Sequence, residues 1–205
     1  MELGAGAAVA HYLVQDQAER PFNFSSLRAH QGASSFASCV VALGGAVARH
    51  QIGVHLDGEG ATADLDGVYL PRSDQHHDHS VFLEHRSPRC TSRQRYVGIA
   101  DDRGHGVFNG HVVVCHGAAG TDASQSNNPV PLRPGRGRHP PPPRGLRRRG
   151  GLRPQVGHGG LDADAVFYLR SQGFPEANAR GLPVQGVASP VVDRIGIGPL
   201  RHHRT

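Results

Sequence analysis

Four consecutive residues, His76-His77-Asp78-His79, form the densest group of potential metal ligands in the sequence. Successive side chains of a β-strand point to opposite faces, so His77 and His79 would share one face, and His76 and Asp78 the other. A protein metal site takes three or four ligands, and this spacing brings at most two to one side. The pattern therefore predicts a solvated or structural role for the group.

The three cysteines, Cys39, Cys90 and Cys115, are odd in number and widely spaced, which argues against a disulfide framework. No C-x-x-C spacing occurs, so the cysteines do not predict an iron site formed by this chain alone. Cys39 lies in an apolar run and is expected to pack as a small core residue. Cys115 follows a predicted strand and is expected to be more exposed.

Enzyme motifs are otherwise missing from the sequence. There is no G-x-x-x-x-G-K-[ST] phosphate loop and no G-x-S-x-G nucleophile turn. Asp64 and Asp66 alternate on a predicted strand beside turns, which is typical of solvated carboxylates. The sequence therefore predicts a protein that is not an enzyme and that binds no cofactor by itself.

Residues 123–153 contain eight arginines and no acidic residue, and include four consecutive prolines at Pro140–Pro143. Without these arginines the 22 basic residues fall to 14, against 17 acidic ones, so the charge of the remaining chain is negative. Clustered arginines neutralise phosphates, which makes a nucleic-acid-binding arm at 133–153 one interpretation. The run lacks interleaved aromatic residues, and its composition is typical of a disordered segment.

The elements that would position these residues are short apolar alternations separated by turns. Turn signals occur at residues 57–60, 71–74 and 101–104, and strands of four to seven residues about ten apart predict an all-β chain. Aromatic residues are scarce, so a stacked parallel solenoid, which buries a narrow apolar stripe, suits the composition best. The predicted strands include Val9–Leu13, Phe36–Leu43, Val54–Leu56, Ala61–Leu65, Val81–Leu83 and Val107–Val114.

The pattern changes to helical after Gly160. Leu161, Ala165 and Leu169 would share one helix face, and Gly173 is a plausible stop. A second helix can begin at Pro175, because proline is accepted at the first helical position.

Several segments, in this order and at this spacing, resemble the SufD family of iron–sulfur cluster assembly proteins. The likeness covers roughly residues 3–128 and 161–195, and implies that the chain is the C-terminal part of a family member. It implies a mainly β fold, a right-handed parallel β-helix over residues 1–128, with a short helical region at 161–205. The segments are His55–Ala61, Leu65–Tyr69, Cys90–Arg93, Gly106–Gly110, Thr121–Asn127 and Leu161–Ser171.

The resemblance implies a non-catalytic scaffold subunit of the SUF machinery. Such a subunit pairs with SufB through its β-helix edge and docks the ATPase SufC through its C-terminal helices. An iron–sulfur cluster would then be held transiently at the interface with SufB, and no nucleic acid is expected as a partner. No apolar run approaches the roughly 18 residues of a membrane span, and the start lacks the basic region of a secretory signal. A cytoplasmic location is therefore expected.

The resemblance also identifies the position of a metal ligand. Family members carry a Cys-x-His-Gly segment just before the first C-terminal helix, and its histidine is proposed to help hold a nascent cluster. Pro154 stands at the matching position here and cannot coordinate a metal. His158 is the nearest histidine, but it lies four residues closer to the helix and is out of register with the family pattern.

The segment 129–160 interrupts the resemblance, and a shifted reading frame accounts for it. Codons exist for Gly135–His139 that, read one base later, give Ala-Glu-Val-Asp-Thr, an acidic strand sequence similar to the family at this place. Pro143–Leu152 behaves in the same way. We therefore interpret residues of about 130–158 as a frameshifted part of a SufD-like gene.

Two other function classes remain open from the sequence. The first is a basic nucleic-acid-binding protein that uses the arginines of 133–153. The second is a β-solenoid carbohydrate-active enzyme, which would need clustered carboxylates on one face of successive coils.

Overall fold

The computed structural model describes residues 1–18, 20–131 and 151–156, together with residues 186, 189–191 and 193–194. This part of the chain contains eleven β-strands. They are β1 (Glu2–Leu3), β2 (Ala8–Gln15), β3 (Phe22–Gln31), β4 (Ser35–Ala42), β5 (Val47–Leu56), β6 (Thr62–Tyr69), β7 (His76–His85), β8 (Thr91–Ala100), β9 (His105–Val114), β10 (Asp122–Pro131) and β11 (Gly151–Val156).

The strands form two parallel sheets, and from β2 to β10 the chain alternates between them. One sheet, the odd sheet, has the order β1-β3-β5-β7-β9, and the other, the even sheet, has the order β11-β10-β8-β6-β4-β2. Each coil thus adds one strand to each sheet, and the result is a β-solenoid of about 4 turns. The prediction of a mainly β chain with a parallel solenoid is confirmed.

The strands are longer than the sequence predicted, and most contain ten residues rather than four to seven. The difference arises because inward-facing positions include polar side chains such as His50 and His77, both buried. Apolar alternation therefore marks only part of each strand. The turns predicted at 57–60, 71–74 and 101–104 all separate consecutive strands.

Both corners of the coil contain a residue in the left-handed backbone region. Ser73 and Asp102, which follow β6 and β8, have φ of 51° and 54°. The free-energy cost of this left-handed conformation is smallest for glycine and for residues with short polar side chains. The recurrence of Ser73 and Asp102, 29 residues apart like the paired His76 and His105, keeps successive coils in register. Gly45, Ser73 and Asp102 have positive φ in the corners before β5, β7 and β9, and Gly60, Arg89 and Gly120 have positive φ in the corners before β6, β8 and β10.

The interior is a narrow apolar stripe interrupted by polar side chains. The largest buried apolar side chains include Phe36, Leu65, Leu83 and Tyr96. Buried polar residues lie on the same inward rows, and they are Gln15, Gln31, Ser38, His50, His77, His79, His85, Ser92 and Gln94.

The outer face of the even sheet is covered near the ends of its strands. Cys39, Val68 and Val97 point outward and are nevertheless buried, and Val191, in the helical turn at 189–191, packs against them. The backbone N–H of Asp193 donates to the Ser189 carbonyl oxygen and closes this turn. The helical turn at 189–191 therefore contacts the solenoid at this face.

Strand β11 lies inside the segment 129–160, which composition predicted to be disordered. Gly151 pairs with Asp122 and Val156 with Asn127, in parallel with β10. Backbone pairing at a sheet edge depends little on side chains, and proline is tolerated on edge strands, which accommodates Pro154. Residues 129–131 belong to the end of β10. Residues 132–150 and 157–160, and the helices predicted at 161–169 and 175–180, lie outside the described residues. Within the described part, no helix has the length and apolar character needed to span a membrane.

Candidate functional site

The histidine group at the start of β7 divides between the two faces of the odd sheet. His77 and His79 point inward and are buried, whereas His76 and Asp78 are partly exposed. Nε2 of His77 lies 3.1 Å from the carbonyl oxygen of Gly44. This is the division predicted from the sequence.

His79 is enclosed by aromatic rings. Its ring stacks on Tyr69 at 4.6 Å between centroids and lies 5.1 Å from the ring of His50. Burial lowers the pKa of His50 and His77 to about 4 and that of His79 well below its usual value. The inward histidines are therefore neutral at physiological pH. Among the described residues, no group of three His, Cys, Asp or Glu side chains is placed to hold a metal ion.

The three cysteines occupy separate environments and are all free thiols. Cys39 is buried on the outer face of the even sheet, where burial and the nearby Asp66 raise its pKa to about 12. Cys90 is buried and lies 3.3 Å from the Gly58 carbonyl oxygen. Cys115 is partly exposed, as the sequence predicted.

Cys115 belongs to the most extensive polar cluster in the described residues, which we call the Glu84 cluster. The Glu84 carboxylate accepts hydrogen bonds from the Cys115 thiol at 3.5 Å and from Nδ1 of His55 at 2.8 Å. Arg86 donates to the same carboxylate at 2.8 Å and bridges to Asp57 at 3.1 Å. Strands β5 and β7 and the residue that follows β9 position these groups one above another on successive coils.

The electrostatics of the Glu84 cluster favour a structural role. Burial raises the pKa of Glu84, but hydrogen bonds from Arg86, His55 and Cys115 outweigh it and hold the pKa below its usual value. Burial and the neighbouring Glu84 raise the pKa of the Cys115 thiol, so the thiol stays protonated near neutral pH. A protonated thiol beside a carboxylate that already has three donors is a poor nucleophile.

Sequence reasoning identified Cys115 but missed Glu84, Arg86 and His55. The sequence did contain a periodic signal that could have identified them. His55 and Glu84 are 29 residues apart, and Glu84 and Cys115 are 31 residues apart, which is about the length of one coil. Offsets of one coil place residues on the same row of neighbouring strands. His158, the candidate metal ligand that is out of register with the family pattern, lies outside the described residues.

Asp64 and Asp66 lie on the outer face of the even sheet and share one cation. Arg95 donates to both oxygens of Asp66 at 2.6 and 3.0 Å, and its third contact is to Asp64 at 3.3 Å. The Asp64 side chain is 39% exposed, but Asp66 is buried and is not solvated as the sequence predicted. The prediction failed because the outer face of the even sheet is covered, and this cover could not be inferred from the strand pattern.

The last strand of the odd sheet offers a free edge in the described part of the chain. The N–H groups of His105 and Cys115 donate to the carbonyl oxygens of Gln75 and His85. Because backbone groups alternate sides along a strand, N–H groups at even positions such as Val114 face away from β7. Such an edge is a template for pairing with another strand.

Comparison with known proteins gives one consistent result. Residues 1–135 match a family described as "SUF system FeS cluster assembly, SufBD core domain". An iron–sulfur cluster assembly SufBD family protein of Mycobacterium tuberculosis is 31% identical over 204 residues, covering 94% of this chain and 51% of that protein. The iron–sulfur cluster assembly protein SufD of Escherichia coli is 28% identical over 166 residues, covering 75% of this chain and 36% of that protein. The chain thus spans at most about half the length of these curated relatives.

Proposed function

The chain belongs to the SufBD family of iron–sulfur cluster assembly proteins, and we propose that it acts as a non-catalytic scaffold subunit of the SUF machinery. The family match carries the proposal, since it covers the solenoid from β1 to β10. The proposed partners are a SufB-like subunit and a SufC-like ATPase, and the proposed location is the cytoplasm.

Pairing with a SufB-like subunit would use the open end of the solenoid. Strand β9 ends the odd sheet of the described residues, and its even-numbered N–H groups face away from β7. A partner with the same parallel coil would satisfy these groups and continue the sheet, which supports pairing between related subunits.

A scaffold role fits the chemistry of the described side chains. The thiol pKa values of Cys39 and Cys115 are raised, and Glu84 is held by three donors. ATP hydrolysis would come from the SufC-like subunit, bound through the C-terminal region. The helical turn that carries Val191 ties this region to the even sheet, so movement of the bound ATPase would reach the solenoid.

The iron–sulfur cluster is proposed as cargo and not as a resident cofactor. It would be held transiently at the interface with the SufB-like subunit. On this chain His158 is the proposed ligand, although its register differs from the family pattern.

The carbohydrate-active alternative has little support from the described residues. Two pairs of neighbouring carboxylates are each held by an arginine. Arg95 engages Asp64 and Asp66, and Arg86 engages Asp57 and Glu84. A glycosidase needs one carboxyl group as a proton donor and a second as nucleophile or base, both free to face the sugar. The nucleic-acid alternative depends on 133–153, most of which lies outside the described residues.

Co-purification tests the proposal. The tagged chain is expressed together with SufB-like and SufC-like subunits from one organism, and both should elute with it as a stable complex. Val114→Pro removes an N–H that faces the open edge, whereas Val114→Ala keeps that N–H and removes a similar part of the side chain. We expect the Val114→Pro variant to lose the SufB-like subunit and the Val114→Ala variant to retain it. Elution of the wild-type chain without either subunit, or its retention on DNA in a salt-dependent way, would overturn the proposal.

A further inference from the structure

The outer face of the odd sheet exposes aromatic side chains. Phe22 and Phe24 on β3 are each 69% exposed, and Phe82 on β7 is 38% exposed. Together with Met1 they are the large apolar residues exposed in the described part of the chain. The corresponding face of the even sheet is covered near the ends of its strands, so the two faces of the solenoid differ.

A groove crosses this face at Gly53. Gly53 lies on β5, in register between Arg28 on β3 and Phe82 on β7. Because glycine has no side chain, a depression of about 320 Å³ opens between these two residues. The remaining lining residues on the outward rows are Ser26, Gln51, His55 and Ser80.

The two sides of the groove have different chemistry. On one side the exposed Arg28 guanidinium forms no ion pair within the described residues. On the other side the Phe82 ring lies 5.9 Å from the ring of His55, which itself stacks on His30 at 4.5 Å. The groove therefore places a cation opposite an aromatic wall, with hydroxyl and amide groups between them.

The carboxylates near this face are already engaged. Glu84 is bound by Arg86 and His55, and Asp78 lies 3.8 Å from Arg49. Among the described residues that line the groove, Arg28 is therefore the cation available to attract a ligand from outside. Arginine and exposed aromatic rings are also the residue types that contribute most to binding energy in protein interfaces.

We propose that the Gly53 groove is a docking site for an acidic segment of a partner protein. A carboxylate of the segment pairs with Arg28, and a neighbouring apolar side chain packs against Phe82, with Phe22 and Phe24 extending the contact. This surface lies on the face of the odd sheet. It is separate from the edge of β9 proposed for the SufB-like subunit, so the two partners could bind at once.

The structure provides a steric test of this proposal. A β-carbon built on Gly53 meets nothing closer than Arg28 Cγ at 3.7 Å, and the backbone there is not left-handed. Gly53→Val therefore fills the groove with a side chain that strands favour. Arg28→Glu reverses the charge at the groove, and Arg72→Glu makes the same change at an exposed corner as a control.

The probe is a fluorescein-labelled Glu-Phe-Glu-Ser-Phe-Glu peptide, with a counterpart in which Lys replaces each Glu. Fluorescence anisotropy with the purified chain should show preference for the acidic peptide. Gly53→Val and Arg28→Glu should each weaken its binding about tenfold, as loss of one interface anchor does, and Arg72→Glu should not. Circular dichroism checks that each variant is folded. Gly53→Ala replaces Gly53→Val, and Arg28→Gln replaces Arg28→Glu, if either is not.

Three results would overturn the proposal. They are equal binding of the two peptides, wild-type binding by both groove variants, and no binding of the acidic peptide. Self-association of the chain that both groove variants abolish would identify a second copy as the occupant, and would also overturn it. None of these results depends on the SufB-like or SufC-like subunits, so the test is independent of the proposed scaffold function.

Discussion

Tyr69 on β6 and Gly98 on β8 lie opposite each other, and the phenol ring of Tyr69 fills the space that a side chain at position 98 would need. Tyr96 has the same relationship to Gly67 on the neighbouring strand. Tyr96 in turn stacks on Phe108 of the opposite sheet at 4.4 Å. The two glycine–tyrosine pairs therefore fix the register of β6 and β8 inside the solenoid.

Adding a methyl group at Gly98 should destabilise the fold. Gly98→Ala places the new carbon inside the Tyr69 ring, and overpacking of this kind costs about 1–3 kcal/mol. Gly53→Ala is the matched control, because its new methyl group has open space. Urea unfolding followed by circular dichroism measures both. Equal midpoints for the two variants would contradict the packing described here.

Stability should fall on mild acidification because of the buried histidines. Burial lowers the pKa of His50, His77 and His85 to about 4 in the folded state. Once unfolded they bind protons below a pH of about 6.5. The free energy of unfolding should therefore be steady above that pH and decrease towards pH 4, by about 1.4 kcal/mol per pH unit for each histidine.

Urea unfolding at a series of pH values measures how the free energy of unfolding depends on pH. One substitution tests whether a buried histidine contributes to this dependence. Burial also lowers the pKa of His79, whose ring stacks on Tyr69. His79→Phe keeps an aromatic ring in that place and should make the slope shallower by the contribution of one histidine. A free energy of unfolding that is independent of pH between 7 and 4 would contradict the account.

The ion pair between Arg95 and Asp66 should matter more than an exposed pair of similar geometry. Arg95→Ala leaves the buried Asp66 carboxylate without its cation, which typically costs about 3–5 kcal/mol. Arg103 and Asp74 form a comparable pair, with side chains 67% and 74% exposed. Arg103→Ala should leave the urea midpoint unchanged. If Arg95→Ala and Arg103→Ala lower the free energy of unfolding equally, the burial of Asp66 does not determine the loss of stability.

Contact between Val191 and the even sheet should control the reactivity of Cys39. Cys39 is buried in the cluster that contains Val191, and its raised pKa keeps the thiol protonated. Iodoacetamide at pH 8 should therefore leave Cys39 unmodified. Cys115 also has a raised pKa but is partly exposed, so it should be labelled slowly, as judged by mass spectrometry of peptides. Val191→Asp should detach the turn and allow labelling of Cys39. Unchanged protection in this variant would show that Val191 does not hold the cover in place.

The thiol pKa of Cys115 should respond in opposite directions to two substitutions in the Glu84 cluster. Glu84 contributes to the raised pKa, whereas Arg86 lowers it. Glu84→Gln should therefore increase the rate of alkylation of Cys115 at pH 8, and Arg86→Ala should decrease it. The pH dependence of the alkylation rate measures both effects. A shift in the same direction for both variants would contradict the assigned charges.

The solenoid could be predicted from the sequence because its corners carry a clear signal. Turn residues of the Gly, Pro, Ser and Asp types at 57–60, 71–74 and 101–104 separated the strands correctly. The strands predicted by name did not include β3, β8 or β10. In β3 the signal was weak because its outward residues are mixed and its inward row includes Ser25 and Gln31. Long-range pairing by register, and not local apolar alternation, determines where such strands begin and end.

The sites were less predictable than the fold. The division of the histidines at His76–His79 follows from strand alternation alone, so the sequence was sufficient. The Glu84 cluster depends on offsets of one coil, which differ between 29 and 31 residues. Burial of Asp66 depends on the cover of the even sheet, which local sequence does not specify.

Cluster assembly by the reconstituted complex tests the central claim, that the chain is a scaffold in iron–sulfur cluster formation. The SufB-like and SufC-like subunits are incubated with iron, sulfide and ATP, with and without this chain, and the cluster is followed by visible absorption. We expect more cluster on the complex that contains the chain, and none on the chain alone. Equal cluster formation in its absence would contradict the claim.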